Sequence, residues 1–223
     1  MDWGVELGPV DAADFNWLKL KQPLPAPRTR WATKAEKFLI YKHMRKDYRS
    51  VLKFALLTGL RLGGLLPLKT DIDFQRRLIR YKKKSRVRET LGYFPVTPAL
   101  HRMLVHSMNL GQGHDEVFTF VCSRSHKGHQ KGKRYPITRE GFKTEMQKVI
   151  KAAGITEWRN IHDLRHTAAT DMLAATGDVM MVRDALGHSA VDQTEKYAHG
   201  QLERLRAAMA LPKACGHLGF PFG

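Results

Sequence analysis

The chain has 223 residues and a formal net charge of +17, since 38 Lys and Arg stand against 21 Asp and Glu. This length allows one domain of ordinary size with at most a small attachment. This charge is larger than a protein of this size needs to stay in solution, and it indicates a polyanionic partner. Nucleic acid is the first candidate and an acidic membrane surface the second. No run of 18 apolar residues occurs, so the sequence excludes a membrane-spanning helix.

Residues 1–30 are predicted to form an N-terminal arm. Pro23, Pro25 and Pro27 occupy every second position of its last part, which disfavours a helix and favours an extended linker. The roughly 20 residues before this linker are too few for a core of their own. We therefore expect either a piece of a longer protein or a one-domain protein.

The cysteines and the N-terminus indicate a cytoplasmic protein. The first residues lack the apolar stretch of a secretory signal, and Cys122 and Cys215 lie far apart, as expected where cysteines stay reduced. Cys122 lies near His126 and His129, a spacing that would suit zinc. The second cysteine of a finger pair is missing, however, so we expect no metal site.

Apolar residues recur at helical spacing over residues 33–43 and 47–57, and Gly59 ends the second helix. An apolar segment follows at residues 60–66, and it contains one charged residue, Arg61. Because a lone buried charge is expensive, an arginine in such a segment is expected to be paired or functional.

Strands at residues 72–74, 78–82 and 90–96 predict a small antiparallel sheet, with a cationic turn at 82–88. Such a turn is either a solvated hairpin tip or a hairpin that lies along a phosphate backbone.

Two further helices are predicted between this sheet and the C-terminal stretch. Thr97 and Pro98 begin a helix that runs to about residue 108. Residues 109–136 are expected to form a basic loop. Thr138 caps a helix that ends before Gly154.

His162 and Arg165 are three residues apart, so on a helix they lie on one face and can approach the same anion. The apolar residues that follow continue a helical stripe, and Gly177 ends it. In isolation, this pair would be typical of a solvated face with a salt bridge.

Two more helices are predicted beyond Gly177. The first runs over residues 178–186 with Asp178 as its N-cap. The next begins at Ser189, with Asp192 completing a capping box, and carries Tyr197. His188 then lies at the turn between the two helices, where its ring can project into a cleft.

Four segments together resemble the tyrosine recombinase, or phage integrase, family. They are Thr-Gly-Leu-Arg at 58–61, His-Asp-Leu-Arg-His-Thr at 162–167, Leu-Gly-His at 186–188 and Tyr-Ala-His at 197–199. Each piece alone is weak, but the combination in this order and at this spacing is specific. The resemblance covers about residues 30–200.

The resemblance implies an α+β fold that is mainly helical with a small antiparallel sheet, the tyrosine recombinase catalytic-domain fold. That domain would occupy residues 31–200, after the arm at 1–30. The tail at 201–223 would either pack on its own domain or be exchanged between neighbouring protomers.

The resemblance also implies one active site and the chemistry of a phosphodiester. Two arginines would clamp the non-bridging oxygens, since guanidinium forks stay charged and donate paired hydrogen bonds. Imidazoles would donate hydrogen bonds or move a proton. The tyrosine would attack, and a lysine on the hairpin would protonate the leaving 5′-oxygen. The set is Arg61, Lys84, His162, Arg165, His188 and the nucleophile Tyr197.

Two points in this site stay open. The hairpin register does not decide between Lys84, which we favour, and Lys82 or Lys83. The family usually has an acidic residue three positions after its first arginine, where this chain has Gly64. That difference leaves Arg61 less restrained.

The implied function is site-specific recombination of double-stranded DNA through a 3′-phosphotyrosyl intermediate, without metal, ATP or another cofactor. The implied assembly is a homotetramer on two DNA sites, with DNA-bending accessory proteins as further candidate partners, in the prokaryotic nucleoid. Two alternatives remain. One is a catalytically impaired DNA-binding relative, which Gly64 favours. The other is a type IB topoisomerase, which the spacing from Leu-Gly-His to Tyr197 disfavours.

Overall fold

The computed structural model describes residues 30–83, 90–125, 128–158 and 160–186, with the backbone alone at positions 83, 90 and 160. Within these ranges the chain is mainly helical with a small antiparallel sheet, as predicted for the fold class, and it has a second sheet of two strands that was not predicted. No helix in these ranges is both long and apolar enough to cross a bilayer. The helices are α1 Lys34–His43, α2 Arg49–Thr58, α3 Pro98–Leu110, α4 Arg139–Ala152, α5 Asn160–Thr176 and α6 Val179–Ala185. The strands are β1 Ile72–Asp73, β2 Leu78–Lys83, β3 Thr90–Pro95, β4 Thr119–Val121 and β5 Arg134–Pro136.

Helices α1, α3, α4 and α6 begin where the sequence predicts, because their capping residues act locally, whereas α2 begins at Arg49 rather than residue 47. Thr33 and Glu36 form a reciprocal capping box at the start of α1. Thr97, Thr138 and Asp178 each accept a hydrogen bond from a backbone N–H in the first turn of α3, α4 and α6. These side chains satisfy donors that the helix itself leaves unpaired.

The three-stranded sheet has the order β1-β2-β3, and its predicted strands are confirmed to within a residue or so at their ends. Ile79 of β2 is paired with Phe94 of β3, and both side chains are fully buried. Residues of a strand alternate between faces, so Arg80 and its partner Tyr93 lie on the outer face, where both are exposed. The sheet therefore covers one side of the helical core.

The core is built around α2, whose Val51, Leu52, Phe54 and Ala55 are almost fully buried. Helix α5 packs against both α2 and α4, and the inner face of the β1–β3 sheet joins the same apolar cluster. Burying this continuous apolar surface is the main source of stability for such a domain.

One prediction is wrong: residues 109–136 are not a continuous loop. Strands β4 and β5 pair from Thr119 opposite Pro136 to Val121 opposite Arg134. The connecting segment folds back on this pair, with the His129 ring stacked on Tyr135 at a centroid distance of 3.9 Å. Strands of three residues are too short to show alternation, so no periodic pattern predicts them.

Candidate active site around two arginines

Arg61 lies shortly after the end of α2, separated from Thr58 by Gly59 and Leu60. The helix stops at Gly59, which adopts the left-handed conformation with φ 60° and ψ 15°. Leu60 is buried, Arg61 is extended, and a 3₁₀ turn over Leu62–Gly64 closes with a 2.7 Å bond from the Gly64 N–H to the Arg61 carbonyl. The apolar segment is thus buried only in part, at Leu60, Gly64 and Leu65. The Arg61 side chain is exposed, however, so it is not a buried charge.

His162 and Arg165 lie on α5, as the sequence predicts. The helix is anchored by its buried side, which includes Leu164, Thr167 and Ala168. His162 is exposed and Arg165 is half-buried. Their spacing of three residues places them on neighbouring positions of the same helix face.

Arg165 ties the ends of two other helices to α5. Its guanidinium donates to the carbonyl of Gly59 at 2.7 Å and to the carbonyl of Leu186 at 2.8 Å. Gly59 caps α2 and Leu186 follows α6. These two bonds fix the plane of the guanidinium, which has five N–H donors in all and so keeps donors for a further acceptor.

The electrostatics indicate an anion site. Burial, followed by the nearby charge of Arg61, lowers the pKa of Arg165 to about 10. The group is therefore still charged at neutral pH, but the fold disfavours its charged form. Neither Arg61 nor Arg165 forms an ion pair with a carboxylate among the described residues. A bound anion would relieve this unfavourable pairing of like charges.

The structure thus brings together Arg61 and Arg165, which are far apart in sequence, and places His162 on the same helix as Arg165. The other predicted residues, Lys84, His188 and Tyr197, lie outside the described residues.

Tyr81 is a polar neighbour of the two arginines that the sequence did not indicate. It lies on β2, and the charges of both Arg165 and Arg61 act on its hydroxyl. The only signal in the sequence was a tyrosine in a strand, which is typical of ordinary packing.

Cys122 and His129, whose spacing in the sequence would suit zinc, each contact another protein group. The Cys122 thiol donates to the Arg124 carbonyl at 2.9 Å, and His129 stacks on Tyr135. Among the described residues, no three His, Cys, Asp or Glu side chains are grouped closely enough to hold a metal ion.

The sequence pattern of the phage integrase family matches residues 31–204. The chain belongs to this family. Its relatives include the integrase of Salmonella phage P22, which is 28% identical over 200 residues, or 84% of this chain and 50% of that protein. The tyrosine recombinase XerC of Mycobacterium tuberculosis is 29% identical over 161 residues, or 71% of this chain and 51% of that protein. The integrase-family chain described here spans about half the length of these curated relatives.

Solved structures of family members share the fold. The XerA recombinase superposes with a TM-score of 0.55 at 21% identity, covering 85% of this chain and 65% of that one. A λ integrase tetramer bound to a Holliday junction gives a TM-score of 0.58 at 17% identity, covering 82% of this chain and 54% of that one. The predicted tyrosine recombinase catalytic-domain fold is thus confirmed.

Proposed function

We propose that this integrase-family chain is the catalytic part of a site-specific DNA recombinase. It would cleave and rejoin duplex DNA through a 3′-phosphotyrosyl intermediate. The observation that carries the proposal is that Arg165 bonds to the Gly59 carbonyl, two residues before Arg61, and feels the charge of Arg61, while neither has a carboxylate partner among the described residues. Two cations arranged in this way suit a phosphodiester, whose transition state gathers charge on the non-bridging oxygens.

The remaining roles follow from the chemistry of the exchange. The Tyr197 oxygen attacks phosphorus, the bond to the 5′-oxygen breaks, and that oxygen takes up a proton from Lys84. The electron pair of the broken bond stays on the 5′-oxygen. His162 and His188 donate hydrogen bonds or move the proton of the phenol. The phosphotyrosyl ester keeps the energy of the broken bond, so rejoining is the same reaction in reverse and consumes no ATP.

The strand geometry bears on which lysine protonates the leaving group. Arg80 and Lys82 lie on the face of β2 opposite to Ile79 and Tyr81, because strand residues alternate. Tyr81 is the β2 residue on which the two arginines act. The alternation therefore argues against Lys82 only. Lys84 lies outside the described residues, so its role stays a prediction from the sequence.

The assembly proposed for the active protein is a tetramer on two DNA sites. Structures of λ integrase have been solved as a dimer on a core site and as a tetramer on a Holliday junction. A full strand exchange has four cleavage events, one per protomer. Each protomer would supply one Tyr197.

The test is covalent capture of DNA. A pool of nicked duplexes of randomised sequence is incubated with the protein, and adducts are resolved on a denaturing gel. Wild type should form a protein–DNA adduct, and Tyr197→Phe should form none while its DNA affinity in a filter-binding assay stays within about twofold. Tyr93→Phe, at an exposed position on the outer face of β3, is the matched control and should react like wild type.

The outcomes separate the alternatives. A Tyr197→Phe protein that still forms the adduct would show that another residue is the nucleophile. A wild-type protein that binds DNA but never forms an adduct would support the impaired DNA-binding relative, which Gly64 in place of the family's usual acidic residue favours. Relaxation of supercoiled plasmid by wild type at no preferred sequence would support the topoisomerase.

A further inference from the structure

Tyr81 fills a space that a glycine leaves open on the neighbouring strand. It is paired with Gly92 across the β2–β3 ladder. A Cβ atom at position 92 would lie 2.5 Å from the Tyr81 Cζ and 2.8 Å from its Oη. These distances are far below van der Waals contact, so the phenol lies directly across the β3 backbone. Any side chain at position 92 would displace the ring.

A second glycine brings the base of the same side chain against the turn that carries Arg61. The Tyr81 Cβ is 3.4 Å from the place where a Cβ of Gly64 would stand. The N–H of Gly64 in turn donates to the carbonyl of Arg61. Tyr81 is thus packed on one side against β3 and on the other against the Arg61 turn, and its ring has little freedom to move away.

The hydroxyl of Tyr81 is a neutral group in cationic surroundings. Burial raises its pKa, and the charges of Arg165 and Arg61 oppose that rise only in part. The phenol therefore keeps its proton at neutral pH and can act as a hydrogen-bond donor. A neutral donor adds no repulsion to a site that already holds two guanidiniums.

We propose that Tyr81 is a phosphate-binding residue of this active site, whose hydroxyl donates a hydrogen bond to a non-bridging oxygen of the scissile phosphate held by Arg61 and Arg165. This inference rests on the proposed function and extends it to a residue of β2. The bond strengthens as negative charge grows on that oxygen during the attack of Tyr197. No covalent bond of Tyr81 is formed or broken.

The first experiment removes the hydroxyl and keeps the ring. With the duplexes that wild type captures from the randomised pool, Tyr81→Phe should lower the single-turnover rate of adduct formation by about 10- to 100-fold, as expected when a hydrogen bond to a charged group is lost. DNA affinity should stay within about twofold, because many other phosphate contacts hold the duplex. Tyr93→Phe, one residue beyond Gly92 on the exposed face, is the control.

The second experiment keeps Tyr81 and moves it. Gly92→Ala places a methyl group where the ring lies, while Gly64→Ala places one at ordinary contact distance, 3.4 Å from Tyr81. Gly92→Ala should slow adduct formation as much as Tyr81→Phe. The double variant that combines Gly92→Ala with Tyr81→Phe should be no slower than either of these single variants. Gly64→Ala should react within about threefold of wild type, because a 3.4 Å contact needs no displacement.

A change in the substrate identifies the contact itself. A methylphosphonate at the scissile position replaces one non-bridging oxygen with a methyl group, and its two diastereomers differ in which oxygen is lost. The rate penalty of Tyr81→Phe should disappear with one diastereomer and persist with the other. An equal penalty with both would assign Tyr81 a purely structural role.

The two proposals fail in different ways. If wild type forms no adduct, the recombinase function itself is overturned. If wild type forms the adduct and Tyr81→Phe matches its rate, the recombinase proposal stands and the role given to Tyr81 is rejected.

Discussion

Gly59 shows how much of the site depends on one residue without a side chain. It ends α2 in the left-handed conformation, and its carbonyl accepts a hydrogen bond from Arg165. A Cβ atom there would lie 2.5 Å from the Leu186 Cδ2 and 3.1 Å from the Ala168 Cβ. The same residue therefore caps a helix, admits the end of α6, and helps to orient a guanidinium.

The substitution Gly59→Ala separates these contributions. A left-handed alanine costs about 1–2 kcal/mol, and displacement of a buried leucine adds about 1–3 kcal/mol. Gly154→Ala is the matched control, since Gly154 also has a positive φ, of 64°, but has nothing within 4 Å of its added Cβ. In urea unfolding, the free energy of unfolding of Gly59→Ala should fall by the backbone cost and the leucine-displacement cost together. That of Gly154→Ala should fall by the backbone cost alone.

Activity gives a second measurement for the same pair. Leu186 must shift in Gly59→Ala, and its carbonyl is the other acceptor of Arg165. Adduct formation should therefore fall for Gly59→Ala and stay near the wild-type rate for Gly154→Ala. Equal losses of stability in the two variants would contradict the close packing of Leu186 on Gly59.

The candidate site residues were predictable from sequence only where a spacing pattern marked them. His162 and Arg165 share a helix face by simple periodicity, and Arg61 stood out as the charge in an apolar segment. The partners of Arg165 are the backbone carbonyls of Gly59 and Leu186, which no side-chain pattern reveals. Tyr81 was missed for a related reason, because its significance comes from the absence of side chains at two distant glycines.

Among the elements, α1 and α5 are joined by a buried ion pair. The Lys37 Nζ lies 2.6 Å from one carboxylate oxygen of Asp171 and 2.8 Å from the other, and the lysine side chain is only 4% exposed. A charge removed from water is tolerated only when it is paired. This pair holds α1 on the helix that carries His162 and Arg165.

Breaking this pair from one side should be costly, and replacing both partners should not be. Asp171→Ala leaves an ammonium group buried without its carboxylate and should lower the free energy of unfolding by about 3–5 kcal/mol. The double variant Lys37→Met with Asp171→Leu should recover most of that loss. Glu140→Ala, which removes the exposed pair with Lys143, should cost less than about 1 kcal/mol.

Urea unfolding at low and high salt provides the check. The Lys37–Asp171 contribution should change little with NaCl, because buried pairs are screened less than exposed ones. A double variant as unstable as Asp171→Ala would mean that the site needs the ion pair for packing rather than for charge balance.

At the scale of elements, the helices were easier to predict than the short strands. Caps such as Thr33 and Thr138 are local signals that survive in the folded state. Strands β4 and β5 exist because distant segments meet, with Arg45 donating to the Val121 carbonyl and Asp47 accepting from the Val121 N–H. Such tertiary contacts leave no trace in a window of neighbouring residues.

For the whole molecule, the excess of 17 positive charges makes salt dependence the most direct signature of a DNA complex. Each phosphate neutralised by Lys or Arg releases a counterion, so log K should fall linearly with log[NaCl], with a slope of about −0.9 per contact. Arg139 lies beside the turn that carries Arg61, since its Nη2 is 3.9 Å from a Cβ atom placed at Gly63. We expect it to contact the same duplex. Its side chain is exposed.

Arg139→Gln should therefore reduce the magnitude of that slope by about one contact, or roughly 0.9, and weaken binding equally for all sequences. Arg76→Gln is the matched control, because Arg76 is exposed in the turn before β2, at the opposite end of that strand from Lys83. Fluorescence anisotropy with a labelled duplex, titrated at four or more salt concentrations, measures both slopes. If Arg76→Gln shifts the slope and Arg139→Gln does not, the duplex binds at the Arg76 end of the sheet. The Arg61 turn would then face away from the phosphate backbone, because the proposed reaction requires the DNA path and the arginine pair to lie on one surface.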